Sequence, residues 1–90
     1  HMAEITASGP DAGAYLDEAL AGRLSTLPLM KAKYSLLLAA DGGIIDDLIV
    51  YRTGEAEWLV VANAGNRGPV VEALHARRGV HEVELVDLTE

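Results

Sequence analysis

Two adjacent carboxylates, Asp46 and Asp47, interrupt the apolar run Ile44–Tyr51. An ionised carboxylate among apolar neighbours costs several kcal/mol unless it is paired, hydrogen-bonded or protonated, so simple packing does not select this pair. In an extended strand side chains alternate: Asp47 shares a face with Ile45, Ile49 and Tyr51, and Asp46 shares the other with Ile44, Leu48 and Val50. Pointing in opposite directions, the two acids do not form a dyad sharing one proton. Their separation leaves one to face a ligand while the other caps a turn or meets solvent.

What stands opposite Asp47 depends on the turn at Asp41-Gly42-Gly43, whose Asp-Gly step is a strong hairpin signal. With Asp41-Gly42 as a two-residue loop, Leu36 pairs with Asp47 and Tyr34 with Ile49. With Gly42-Gly43, Leu38 pairs with Asp47 and Tyr34 with Tyr51. Both registers put Tyr34, Asp47 and Tyr51 on one face, whereas a three-residue loop moves Tyr34 to the other. Two phenols and a carboxylate on an apolar surface describe a pocket for a flat, polar-edged ligand. The plainer alternative is that Asp47 accepts hydrogen bonds from backbone amides of a neighbouring loop.

Other polar residues carry weaker signals. Asn63 and Asn66 flank Ala64-Gly65 at a strand-to-helix junction, where asparagine serves as a helix cap or a left-handed turn. His75 and His81 have no partner spacing of a metal site, and no metal is expected. The 90 residues contain no cysteine, which excludes disulfides, thiolate metal sites and cysteine nucleophiles. A formal net charge of -7 argues against nucleic acid and anionic membranes as partners. The basic pairs Lys31/Lys33 and Arg77/Arg78 read as solvated loop or helix ends. No apolar run reaches the roughly 20 residues of a membrane span, so a soluble, cytoplasmic protein is expected. His1-Met2 reads either as native or as the remnant of a cleaved tag.

The elements that must position these residues follow in the order β-α-β-β-β-α-β. A short strand at 3–7 precedes a helix that starts near Pro10 and weakens at Gly22. Strands at 32–39, 44–52 and 57–62 form an antiparallel meander. A second helix runs from Gly68-Pro69 to Arg77-Arg78 with Gly79 as its C-terminal cap, and a last strand spans 80–88. The pattern is α+β: an antiparallel sheet with two helices covering one face. With no Phe and one Trp, the core must come from Leu, Val, Ile and Ala. By length, residues 1–90 read as a single small domain or as a single partial domain of a larger protein, and the abrupt end after the last strand suits truncation of a longer chain.

At these residues the chain resembles the aminomethyltransferase, or T-protein, family of the glycine cleavage system. The resemblance spans the whole chain. It is carried by His1-Met-Ala-Glu-Ile5, Gly9-Pro-Asp11, Lys31-Ala-Lys-Tyr-Ser35, Asp41-Gly-Gly-Ile-Ile-Asp-Asp-Leu-Ile-Val-Tyr51 and Leu59-Val-Val-Ala-Asn-Ala-Gly-Asn66. It makes His1-Met2 fit a family His-Met before the first strand, and it implies half of the aminomethyltransferase folate-binding domain. The implied reaction moves the one-carbon unit from the aminomethyl-dihydrolipoyl arm of H-protein to tetrahydrofolate with release of ammonia. The resemblance assigns the key acidic position beside the reacting nitrogens to Asp47. It matches Tyr34 and Asn63 to the folate pocket and Met2 to an apolar contact there.

Chemically, a carboxylate at Asp47 can orient the attacking nitrogen, accept its proton and stabilise cationic character, and an apolar cleft would raise its proton affinity. The family's further folate-domain segments and later domains have no counterpart in these residues. Arg67-Gly-Pro69 also replaces the family's more common charged helix start. The chain alone is therefore expected to fold incompletely or self-associate through open strand edges, and to lack activity. Alternatives are a folate-binding module of the iron–sulfur-assembly or sarcosine/dimethylglycine dehydrogenase type, or a non-catalytic α+β interaction domain. The first of these is recognised by a Lys-Gly-Cys-Tyr-type motif, which is absent from these residues but would lie beyond residue 90.

Overall fold

Apolar residues at every second position of β1 (Met2–Ser8), β3 (Ile44–Gly54) and β4 (Glu57–Asn63) demand a sheet with one covered face. In the computed structural model, which describes residues 2–89, Ala3, Ile5 and Ala7, Leu48 and Val50, and Trp58, Val60 and Ala62 form that face. His1, with its reading as part of a His-Met pair or a tag, and Glu90 lie outside the described residues. The covering layer is α1 (Ala12–Ala19) and α2 (Arg67–Ala76), which contribute Tyr15, Leu16, Val70 and Leu74 to the core. β2 (Ala32–Leu38) and β5 (Glu84–Asp87) complete a five-stranded sheet of order β2-β3-β4-β1-β5. Every neighbouring pair is antiparallel, so the expected α+β class and the central meander are both found.

Buried polar side chains tie the helices and loops to the sheet. The Tyr15 hydroxyl donates to the Leu74 carbonyl in the last turn of α2, where carbonyls have no intrahelical partner. Burial pushes the Tyr15 phenol well above its ordinary pKa, and the Arg77 and Arg78 cations offset this only in part. Arg77 is not the solvated helix end expected from the sequence: its guanidinium donates to the carbonyls of Ala19 and Leu38, joining both helices to β2. Arg52 lies 4.8 Å over the Trp58 ring and donates to the carbonyls of Leu27, Gly54 and Glu55, which closes the β3–β4 end of the sheet.

The last strand is shorter than the expected 80–88. Gly79 does adopt positive φ, +57°, after α2. The chain then turns away, leaving Val80 99% exposed and His81 beside Glu18 and the Tyr15 ring. Only residues 84–87 find ladder partners, opposite Ile5–Ser8 of β1, because Gly9 and Pro10 divert β1 into α1.

Candidate functional site

The geometry of the site begins at the hairpin between β2 and β3. The Gly42 N–H donates to the Ala39 carbonyl, Gly42 has φ +89°, and the Ala39 N–H donates to the Gly43 carbonyl. The loop is therefore Ala40-Asp41-Gly42, a three-residue loop rather than either two-residue one, and alone it would put Tyr34 on the face opposite Asp47. A β-bulge restores the register. Leu38 pairs with Ile44 but Leu37 pairs with Asp46, so Ile45 is an extra, unpaired residue. Beyond it Leu36 lies opposite Asp47 and Tyr34 opposite Ile49, the first of the two pairings drawn from the sequence. The bulge also exchanges the two isoleucines: Ile45 packs against the core, and Ile44 is exposed.

Asp46 and Asp47 fall on opposite faces. Asp46, 4% exposed, turns toward the helices, and Asp47 lies exposed on the open face. The Asp46 carboxylate accepts from the Asn63 backbone N–H at 2.9 Å, Asn63 Nδ2 at 2.7 Å and Asn66 Nδ2 at 2.9 Å. Burial alone would raise its pKa. The side-chain and backbone donors of Asn63, the Asn66 amide and the Asp47 N–H outweigh burial and hold the carboxyl below its ordinary value. Neither asparagine caps a helix with its side chain, the reading the junction first invited. Asn66 instead donates to Asp46 and, at 3.1 Å, to the carbonyl of Ile45, the bulge residue.

Three cross-strand rows build the open face. In one, Tyr34, Ile49, Val61 and Glu4 are successive ladder partners. In the next, Leu36 faces Asp47 and Asn63 faces Met2, and the rows join where Asn63 Nδ2 lies 3.3 Å from both Asp47 Oδ1 and the Asp47 carbonyl. The third holds Ala32, Tyr51, Leu59, Thr6 and Val86. The result is an apolar platform with a polar row at one end and two phenols rising from it, Tyr34 being 82% exposed.

A depression of about 180 Å³ on this platform is lined by Met2, Tyr34, Asp47, Leu48, Ile49, Val61 and Asn63. It brings together all four residues expected to contact a ligand: Met2, Tyr34, Asp47 and Asn63. Tyr51 instead lines an adjoining hollow with Tyr34 and Ile49. The apolar cleft expected to enclose Asp47 is not formed by the described residues, which leave its carboxylate exposed. A larger cleft, about 550 Å³, lies between the β1–α1 turn and the α2–β5 connection, but none of these four residues reaches it.

Sequence reading missed Asp46 and Asn66 as partners. The available signal was an asparagine three residues after Asn63 combined with a carboxylate that alternation sends to the core. A flat ligand on this platform would rest on Ile49 and Val61, stack against Tyr34, and meet the Asp47 carboxylate at its polar edge.

Comparisons with known proteins agree with the fold. Residues 1–90 match the family described as the GCVT N-terminal domain. The aminomethyltransferase of Corynebacterium jeikeium is 49% identical over 85 residues, covering 94% of this chain and 22% of that protein. The aminomethyltransferase of Streptomyces coelicolor is 47% identical over 87 residues, covering 97% of this chain and 23% of that protein. The crystal structure of glycine cleavage system aminomethyltransferase T from Bartonella henselae matches with a TM-score of 0.93 at 36% identity, over 98% of this chain and 24% of that one. The chain thus spans less than a quarter of the length of these relatives.

Proposed function

This chain belongs to the GCVT N-terminal domain family, and we propose that it forms the first part of a tetrahydrofolate-dependent aminomethyltransferase of the glycine cleavage system. The observation that supports this most is the convergence of Met2, Tyr34, Asp47 and Asn63 on one depression of an otherwise apolar sheet face. The residues fit a folate head: a flat ring system finds an apolar floor and a phenol to stack on, and its nitrogen-bearing edge finds a carboxylate. Tetrahydrofolate supplies the nucleophilic nitrogens that take up the one-carbon unit. The dihydrolipoyl arm of H-protein is the donor, and a cytoplasmic location accompanies this reading.

Within that reaction Asp47 is the catalytic group. Its carboxylate holds an N–H of the acceptor in place, removes the proton as the new carbon–nitrogen bond forms and ammonia leaves, and counters the positive charge that develops. Tyr34, Met2 and Asn63 hold the acceptor against the sheet. Because the described residues leave the face open, enclosure of the acceptor and docking of H-protein belong to the rest of the enzyme.

The test is Asp47→Asn in the intact enzyme. Amide replaces carboxylate at nearly unchanged size, and turnover should fall by about 100-fold or more, the usual scale of general acid–base catalysis. Turnover within about threefold of wild type would remove the role.

A further inference from the structure

We propose that Asp46 is a positioning residue that orients the Asn63 amide, so that the polar end of the site offers only hydrogen-bond acceptors and selects the N–H-rich edge of its ligand. An asparagine Nδ2 carries two hydrogens. One goes to Asp46 Oδ1 at 2.7 Å, and the other is shared between the carbonyl and Oδ1 of Asp47, both at 3.3 Å. The backbone N–H of Asn63 goes to Asp46 Oδ2 at 2.9 Å, so one carboxylate grips the residue twice. Asn66 Nδ2, 2.9 Å from the same Oδ1, steadies that carboxylate from the second helix's start.

A flipped amide would set the Asn63 oxygen against two carboxylates, lone pair to lone pair, and the geometry forbids it electrostatically. Every donor hydrogen of Asn63 is therefore spent inside the protein. No hydrogen bond to Asn63 Oδ1 occurs among the described residues. In the row of Asp47 and Asn63, that oxygen and the Asp47 carboxylate are the side-chain polar atoms left to a ligand, and both are acceptors; the Tyr34 hydroxyl, which can donate, stands in the neighbouring row opposite Ile49. An edge of ring N–H groups satisfies them, whereas a carbonyl edge leaves lone pairs opposed and unpaired, which is costly once water is excluded. Asp46 acts without touching the ligand: it is buried beneath the sheet, on the face opposite the depression. The ligand half of this inference rests on the folate reading above. The amide half does not.

The experiment is nuclear magnetic resonance on the intact enzyme that contains this chain and on its Asp46→Asn variant, following exchange of the Asn63 side-chain amide protons and their response to added tetrahydrofolate. In the wild type these protons should exchange at least about tenfold more slowly than those of an unstructured asparagine, because both are hydrogen-bonded. Asp46→Asn should lose most of that protection while backbone amides at Val50, Val60 and Leu74 keep theirs. It should also bind tetrahydrofolate about tenfold more weakly, the scale of one charged hydrogen bond misdirected.

Wild-type exchange as fast as that of an unstructured asparagine overturns the proposal, and this measurement needs no variant to fold. Exchange in Asp46→Asn within about twofold of wild type also overturns it, as does unchanged tetrahydrofolate affinity. If the wild type shows no response to tetrahydrofolate, the folate reading and the ligand half fall together, and the exchange data alone decide the orienting role of Asp46.

Discussion

Replacing each of the adjacent aspartates by alanine should have very unequal effects on stability, although the two share residue type, strand and neighbours. In Asp46→Ala the donors Asn63 N–H, Asn63 Nδ2 and Asn66 Nδ2, now 2.7–2.9 Å from the carboxylate, lose their acceptor. Hydrogen bonds to charged groups contribute about 1.5–3 kcal/mol each. The two side-chain amides retain second acceptors in the Asp47 and Ile45 carbonyls, and Asn63 also reaches water, so only the backbone N–H loses its full share. Relief of the carboxylate's own desolvation offsets part of the remainder.

The net cost is about 2–3 kcal/mol, a fall in Tm of roughly 10–20 °C for a domain of this length. In Asp47→Ala an exposed side chain with a single 3.3 Å contact is removed, and the change should stay within about 0.5 kcal/mol. Urea denaturation followed by fluorescence of the single, buried Trp58 reads both. Equal losses, or a larger loss at Asp47, would mean that the bulge does not set the register described and that the wrong carboxylate faces the open side.

Two further predictions concern the frame. Tyr15→Phe removes the donor to the Leu74 carbonyl without changing packing volume appreciably, and should cost about 1–2 kcal/mol by the same denaturation assay. A loss under about 0.3 kcal/mol would show that the carbonyl is satisfied otherwise. Stability should also fall in acid. Asp46 and Asp17 are both partly desolvated, yet donors from Asn63 and Asn66, and from Ser25 and Leu24, hold their pKa values below the unfolded ones. Their contribution is therefore complete above about pH 4, the unfolded carboxyl value, and is lost as pH falls through the lower folded values. The urea midpoint should hold between about pH 7 and 5 and drop below about 4, with a shallower drop in Asp46→Ala. A midpoint insensitive to acid in the wild type would contradict the hydrogen-bonded carboxylates.

Much of this arrangement is legible in the sequence because strand alternation is a strict period. It separates Asp46 from Asp47, places Ile49 and Tyr51 with the latter, and identifies the meander from its turns. The bulge is not legible. It inserts one residue, Ile45, into a ladder, and what compensates it is Asn66, twenty-one residues away, which satisfies the Ile45 carbonyl. Two departures, a three-residue loop and a one-residue bulge, cancel, so the pairing of Tyr34 with Ile49 came out as drawn although the loop did not.

Long-range donors account for the other misses. Arg77 reads as a helix-end cation, yet the carbonyls it meets belong to Ala19 and Leu38, whose positions depend on the packed fold. Val80–Glu82 alternates like a strand, but β1 has already turned into α1 where those residues would need partners. Asn63 and Asn66 sit where caps belong, and it is a buried carboxylate on a neighbouring strand that redirects them. Local pattern cannot show which of several donors a buried acceptor will recruit.

The claim that the open face of this sheet is a tetrahydrofolate site is tested most directly by titrating the ligand into the intact, isotopically labelled enzyme and mapping amide shifts. Saturable changes are expected at Met2, Tyr34, Asp47, Ile49, Val61 and Asn63, with Val50 and Val60 on the covered face changing less. Saturable changes centred instead on Gly9, Val80 and His81, or a response unaltered by Asp47→Ala, would contradict it.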